Sequence, residues 1–545
     1  MLNVKKRLAI ETLLFCGLAF IVSLIHWNRH PGLIFNVYYL EHDPGVNLYL
    51  ADQLDHGKLL YKDAAYPYGP LGIYLYYAWS NCFGNSIASY AILQTSINFV
   101  FLALLFFLVR RTFSGTVTWA VMSVALLPHA LTLGAPYGGG HFWGAYIQLE
   151  RVWFLIVCCC WKPPQSRTWS RFAVIGFLLA FWQVIKFGGC FITGASILAL
   201  DILVLWQQDA KLTDWKRWFL GNLVTLSAFL VGEAVWAVWV FSTYDFPLAI
   251  DIVWPLYIKV SYDTFPKGII SYHVFSNWKY FVACELGLVA AAICSSIVIL
   301  LLFLKKCAEI DKLWVMIFAL FYLGGALIYF NIIEHFQQFA WCLVISSIFL
   351  LDRANLWQRF LVVICWVPTF AMMLKITCFN PVPNYETFTF PNGEMIYLSK
   401  EEKIQIESAL DSLKKLGCLN SQEKKPRVLI FPVASGFHHY YNLRPFSRHI
   451  WYITKFIRPH DEATILANLE DTRAILFTAP VFLLKSDTSS WEMELRKVFS
   501  PEVVQSIIGK SPVSLDTSET FLVVSLSTPA EVEQADSNAE HSGQN

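Results

Sequence analysis

Two residues carry charges whose types and places could serve chemistry: Asp43, and Lys186 inside the apolar run 172–205. Asp43 opens a polar stretch, 41–72, that also holds Glu41, Asp52, Asp55 and Asp63 and is broken by Pro44-Gly45, Gly57 and Pro67-Tyr68-Gly69-Pro70. A carboxylate at the rim of an apolar scaffold can take a proton from a hydroxyl or amine. That makes Asp43 the first candidate base, with Glu41 and Asp63 in reserve; a solvated loop acid or a turn at Asp43-Pro44-Gly45 explains the same residues equally simply. A lysine surrounded by apolar residues is a functional candidate by default. Beside Gly188-Gly189, Lys186 could hold a phosphate as a point charge, or it could snorkel at a hairpin tip.

The other candidates are weaker. His141, after Gly138-Gly139-Gly140, and His335, after Glu334, are single histidines of the kind that usually serves structure. Glu150-Arg151 reads as a structural ion pair near a helix end. Far along the chain, His438-His439-Tyr440-Tyr441-Asn442-Leu443-Arg444-Pro445 combines aromatic faces, which stack on sugars, with Arg444, which can fork to phosphate; a plain loop after a strand is the alternative. No His/Asp/Glu grouping has metal-ligand spacing, so no cofactor is identified and a divalent cation is left open without support. There is no phosphate-binding glycine loop, dinucleotide fingerprint or Ser-His-Asp arrangement, which disfavours soluble nucleotide chemistry.

The elements that must position these residues belong to a membrane protein. Hydrophobic residues make up 56% of the chain and charged residues 15%, against about 25% charged in a soluble protein. The formal net charge of +1 gives no footprint for nucleic acid. The 13 cysteines have neither disulfide-framework nor zinc spacing and read as small core or lipid-facing residues. A span needs about 20 mostly apolar residues. Candidates run over 8–25, 89–109, 115–133, 145–161, 172–186, 187–205, 219–241, 280–304, 313–330, 335–351 and 356–375. The first follows Lys5-Lys6-Arg7, lacks a small-residue cleavage site and reads as an uncleaved helix. Basic residues at Lys5-Lys6-Arg7, Arg110-Arg111, Lys162–Arg171, Lys211–Arg217 and Lys305-Lys306 share one side only if 172–205 is a hairpin turning at Lys186. About eleven spans follow, mainly α, with the N-terminus cytoplasmic and the C-terminus outside the inner (plasma) membrane.

The domain organisation expected is a membrane domain over 1–375 with its first outer loop at 26–88, an extracytoplasmic α/β domain over 376–528, and a disordered acidic tail at 529–545. Within the outer loop, helical spacing predicts a polar surface helix over 46–56, and Pro70 starts a Tyr/Trp-rich interfacial helix over 70–83. In the tail, Ser399-Lys400-Glu401-Glu402 is a capping box for a helix reaching Gly417. Strands are expected at Arg427–Val433, Ala474–Ala479 and Phe521–Ser527, alternating with helices near 461–470 and 488–498.

This order of parts resembles the GT-C superfamily of membrane glycosyltransferases, in the branch related to protein O-mannosyltransferases and lipid A aminoarabinose transferases. The resemblance rests on Asp43-Pro-Gly-Val-Asn-Leu-Tyr-Leu-Ala51, Leu54-Asp-His-Gly57, Leu60-Tyr61-Lys62-Asp63 and Tyr68-Gly69-Pro70-Leu71, on Gly176 to Lys186, on His335 to Leu343, and on Tyr441 to Pro445. It departs after Asp43, where many members carry a paired acid and this chain has Pro44. The resemblance implies transfer of a sugar from a polyprenyl-phosphate donor to a lipid, glycan or protein acceptor of the cell envelope. Asp43 would be the base and Lys186 would hold the leaving phosphate, with Lys58, Tyr61, Tyr68, His141, His335 and Arg444 as candidate substrate contacts. The rivals are a polytopic transporter or flippase using the buried charges as a path, and a catalytically inactive assembly protein of the same build.

Overall fold

The computed structural model describes residues 4–29, 38–66, 68–132, 145–186, 189–253, 384–419, 426–448, 459–478 and 498–526, apart from a few positions within these ranges. The spans expected over 280–304, 313–330, 335–351 and 356–375 lie outside the described residues apart from Ile348, Leu351 and Phe360, as does most of the helix expected near 488–498.

The apolar runs form the long helices. In order, α1 covers Val4–Arg29, α2 Tyr38–Glu41, α3 Asp43–Asp55, α4 Leu71–Phe83, α5 Ile87–Thr112, α6 Gly115–Thr132, α7 Ala145–Cys160, α8 Trp169–Gln183, α9 Gly189–Gln207, α10 Leu212–Thr243 and α11 Phe246–Val253. Among the described residues, Lys6–Leu24, Ile87–Thr112, Gly189–Gln207 and Leu212–Thr243 are long and apolar enough to cross a membrane. Leu223, Leu230, Val231 and Val238 leave an exposed apolar face along α10, the kind of surface that lipid rather than water would cover. Local chemistry sets the ends. The Ser86 hydroxyl accepts the Ser89 N–H at 3.1 Å to start α5, and Gly84, at φ +86°, closes α4 where a side chain would be strained.

The run 172–205 is two helices. α8 stops at Gln183 and α9 restarts at Gly189, so Lys186 sits in the turn between them. The far end of that hairpin is locked. Arg167 donates to both oxygens of Asp201, at 2.9 and 2.6 Å, and both side chains are buried. Trp161 donates to the same carboxylate at 3.1 Å. A fork-to-carboxylate pair is the strong form of this contact.

The tail is an α/β layer structure. β1 (Glu386–Thr389) and β2 (Met395–Leu398) form a hairpin; α12 is Lys400–Lys415, β3 Arg427–Phe431, α13 Ser435–Tyr441, β4 Arg444–Pro445, α14 Pro459–Leu469, β5 Thr472–Thr478, α15 Pro501–Ile508, β6 Val513–Thr517 and β7 Phe521–Ser525. The capping box at Ser399 forms as expected, with Glu402 and Ser399 bonding reciprocally at 2.8 and 3.2 Å. The five-stranded sheet has the order β4-β3-β5-β7-β6, with β3 parallel to β4 and β5, and β7 antiparallel to β5 and β6. Alternation on β3 sends Val428 and Ile430 to one face and Leu429 and Phe431 to the other, and both faces are covered.

The first of those faces is continuous with the membrane-proximal half. Val428, Ile430, Leu476 and Val523 share one buried cluster with Tyr39, Leu40, Leu48, Tyr76 and Tyr90. This changes the reading of α3. The helix expected to lie on the surface is instead buried from Asp43 to Ala51, and only its end, around Asp55, is exposed. Sequence spacing showed the helix but not the second apolar surface that covers it. α13 takes the place of the expected loop at His438–Tyr441 and packs directly on α3.

Candidate active site

Asp43 occupies the first turn of α3, where a carboxylate faces the helix's unsatisfied N–H groups. It is 6% exposed. The corner that presents it is very tight. A methyl group on Gly45 would overlap the Tyr39 carbonyl and sit 2.9 Å from the Gly436 nitrogen, while one on Gly436 would come within 2.6 Å of the Leu40 Cα. The corner at residues 39–45 and α13 of the tail therefore meet backbone to backbone, and only glycines permit it.

A polar ladder descends from this corner. Asn47 donates to the Asp43 carbonyl at 2.6 Å and lies 3.2 Å from the Tyr90 hydroxyl. Gln94 donates to the same hydroxyl at 2.7 Å. Tyr39 and Tyr76 meet the Tyr90 ring edge-on, at 6.3 and 5.0 Å. Burial, and behind it the Glu394 carboxylate, pushes the Tyr39 phenol well above its ordinary value. Glu394 itself accepts the Ile87 N–H at 2.9 Å and caps α5, and burial raises its pKa.

Lys186 is buried, at 3% exposed, rather than snorkelling. Its ammonium lies 3.5 Å from Glu150 Oε2, and Trp182 Nε1 lies 3.4 Å from Glu150 Oε1. Glu150, expected to pair with its sequence neighbour Arg151, thus belongs to Lys186. Gly189 makes room for the pair, since a methyl group there would sit 2.6 Å from Glu150 Oε1. Val46, Tyr49 and Leu50 of α3 share an apolar cluster with Ile185, which precedes Lys186 in the chain. The acid's helix and the lysine's turn thus abut the same core.

The turn region 57–71 fastens both sides. The Leu71 N–H donates to the Val184 carbonyl at 2.9 Å. Arg448 of the tail donates to the Tyr61 carbonyl at 2.5 Å, while its other nitrogens fork to Asp461 at 2.8 and 2.9 Å. Tyr61 adopts φ +69°, a left-handed conformation costly for a bulky residue; its hydroxyl donates to the Tyr68 carbonyl at 2.7 Å. Asp63, the reserve acid, is exposed and its Oδ2 accepts the Leu59 N–H at 2.7 Å, closing the turn. Lys58 is exposed. Arg444 pairs with Asp471 at 3.3 Å at the outer strand of the sheet. His141, His335 and the Glu41 side chain lie outside what is described.

Sequence reading missed Asn47, Gln94 and Asn98. The signal was present, because Tyr90, Gln94 and Asn98 recur every four residues on one face of a mostly apolar span. It also missed Arg448 and Asp461: the Arg448 contact to Tyr61 crosses 387 positions of sequence and leaves no local trace, and Asp461 matters only through Arg448. Among the described residues no group of three His, Cys, Asp or Glu side chains could hold a metal ion.

No known protein family and no curated protein matches the sequence. Two solved structures are similar over most of their length. ArnT from Cupriavidus metallidurans in the apo state has 11% identity and a TM-score of 0.38, covering 95% of this chain and 98% of that one. The same protein bound to undecaprenyl phosphate has 11% identity and a TM-score of 0.35, covering 95% and 99%. Similarity at that level assigns neither a substrate nor a residue role.

Proposed function

We propose that the chain is a GT-C-like membrane glycosyltransferase that moves a sugar from a polyprenyl-phosphate donor to a hydroxyl or amine acceptor on the outer face. The supporting observation is the burial of one acid and one cation, Asp43 and Lys186, on segments that abut a shared apolar core. In this reading the acceptor's O–H or N–H loses its proton to Asp43 as the acceptor atom bonds to the sugar's anomeric carbon. The bond from that carbon to the phosphate oxygen breaks, and the lipid phosphate leaves with the electron pair. Lys186 offsets the charge that grows there, in surroundings where a fixed cation acts more strongly than in water. Glu150 serves as its resting counter-ion, which the donor phosphate must share or displace. The Pro44 that replaces a second acid leaves Asp43 to act alone, oriented by its place at the start of α3.

One observation favours the transport reading instead: the Lys186–Glu150 pair is itself a buried charge pair of the kind that lines substrate paths. Sugar transfer from labelled polyprenyl-phosphate donors in membranes separates the two. Asp43→Asn is expected to lower transfer by about 10²- to 10⁴-fold, the usual share of a general base. Undiminished transfer by the variant removes Asp43 from that role. Absence of transfer by wild type with every donor, alongside movement of lipid across the bilayer, establishes the rival.

A further inference from the structure

Lys186 owes its place to a turn, and the turn leans on the segment that leads into α4. α8 ends at Gln183 with Val184 as its cap. The Val184 carbonyl accepts the Leu71 N–H, the first of α4, at 2.9 Å. Each helix end thus supplies the group that the other leaves unmet. Gly69 lies so close that a methyl group on it would overlap the same carbonyl. Upstream, the segment is closed on itself: the Tyr61 N–H donates to the Ala64 carbonyl at 2.8 Å, and the Tyr61 hydroxyl to the Tyr68 carbonyl at 2.7 Å. Tyr61 pays for this closure with its φ of +69°, a conformation that persists only where the surroundings impose it.

What imposes it comes from the tail. Arg448 Nη1 donates to the Tyr61 carbonyl at 2.5 Å, and the Arg448 carbonyl accepts the Ala65 N–H at 2.9 Å, so one residue grips the segment twice. Asp461 aims the guanidinium, accepting from Nε at 2.8 Å and Nη2 at 2.9 Å. Asp461 is 8% exposed in the first turn of α14, where a helix start favours a carboxylate. We infer that Arg448, aimed by Asp461, is a positioning residue for Lys186: through Tyr61 and residues 69–71 it holds the turn that presents the ammonium. The inference rests on the glycosyl-transfer reading, in which Lys186 meets the donor phosphate. Arg448 does not take that phosphate itself, because Nε, Nη1 and Nη2 are all engaged by the protein and Asp461 already matches the charge. A lysine could not replace it, since a single ammonium on a flexible stem cannot fork to Asp461 and reach the Tyr61 carbonyl in one fixed plane.

The test measures retention of bare polyprenyl phosphate by the purified full-length protein. Arg448→Gln is expected to weaken it about tenfold, as residues acting on a site through intervening contacts do, and Arg448→Lys nearly as much. Lys403→Gln breaks another ion pair of the tail, the one to Glu386 at 3.1 Å, and should leave retention within about twofold of wild type. A merely structural role is separated by the background Glu150→Gln/Lys186→Met, which removes both buried charges together. There Arg448→Gln should cause no further loss, because the residue through which it acts is gone. Hydrogen exchange gives a reading that needs no lipid: amides of Leu71 and 184–186 should exchange faster in Arg448→Gln and not in Lys403→Gln. Retention by Arg448→Gln equal to wild type, or unchanged exchange at those amides, overturns the positioning role. A further tenfold loss in the neutral background also overturns it, since Arg448 would then act without Lys186. Failure of wild type to retain the lipid, with exchange at 184–186 still responding to Arg448, refutes the glycosyl-transfer reading and the positioning role with it.

Discussion

Replacing Glu150 with Gln tests how the buried lysine is tolerated. The Nζ–Oε2 separation is 3.5 Å, and the two side chains are 3% and 8% exposed. At an effective dielectric of about 20, two unit charges at that distance attract by about 5 kcal/mol before desolvation is counted. Most of that gain is offset by taking both ions out of water, so the intact pair adds little net stability. Breaking it is another matter. Glu150→Gln keeps the shape and the Trp182 contact but removes the carboxylate charge beside a buried ammonium, at a cost of up to about 3–5 kcal/mol. Lys186→Met leaves the carboxylate stranded and should cost a similar amount. The double variant removes both charges at nearly constant volume and should return to within about 1 kcal/mol of wild type. Thermal unfolding of the four proteins in one detergent at one scan rate reads the order directly. Both single variants should melt well below wild type and the double variant close to it. Single variants as stable as wild type, or a double variant that melts as low as the two losses combined, would refute the pairing argument. In the same series, Glu150→Gln should retain bare polyprenyl phosphate more tightly than wild type, because Lys186 no longer divides its charge.

Two further perturbations bear on the tail. Gly436→Ala places a methyl 2.6 Å from the Leu40 Cα, about 1 Å inside ordinary carbon contact; overpacking of this kind costs about 1–3 kcal/mol. Hydrogen exchange at 38–51 and 435–441 should speed up about 5- to 150-fold, and unchanged exchange would show that the two backbones do not touch. His438 lies against Tyr49 with ring centroids 5.8 Å apart, and its Nδ1–H donates to the Leu443 carbonyl at 3.1 Å. Burial lowers its pKa to about 4, against about 6.5 when unfolded. The unfolded chain therefore binds the proton first. The stability from the neutral ring is complete above about pH 6.5 and is lost as pH falls toward 4, up to about 3 kcal/mol. His438→Leu should flatten the pH dependence of unfolding in that window; an unchanged slope would assign it to other groups.

Much of the scaffold was legible because helices and strands announce themselves over short distances. Apolar runs with basic flanks marked α1 and α5 through α10, and the need to keep basic loops on one side split 172–205 at the residue where the helices separate. Ser399 and Pro70 marked helix starts by local chemistry. What could not be read was pairing. Nothing near Glu150 in sequence points to Lys186 rather than Arg151, since adjacent residues on a helix do not face each other and partners on other helices are set only by packing. The burial of α3 was equally hidden. Its Asp52 and Asp55 suggested water, and the surface that covers the rest of it belongs to α13 together with α2, α4 and α5. The strand β6 escaped although Val513-Ser514-Leu515-Asp516 alternates, because the run is only five residues long and carries just two apolar side chains. Lys186 stood out as a charge inside an apolar run, whereas the choice of Asp43 over the other acids of 41–72 drew on the resemblance, since no spacing in that stretch singles it out.

The continuous cluster between the tail sheet and residues 39–51 also fixes when the chain can be finished. Residues 39–51 leave the ribosome early, but Gly436, Phe437 and Val523, which bury them, follow roughly 390–480 residues later. At about 5–20 residues per second, the corner carrying Asp43 waits on the order of a minute with its apolar face uncovered. During that interval the membrane surface or a chaperone must shelter it. A chain truncated before α13 would present an acid with no formed site around it. Whatever chemistry Asp43 carries in the proposed reading is thereby withheld until the tail has been made, a safeguard that follows from the order in which the pieces are made.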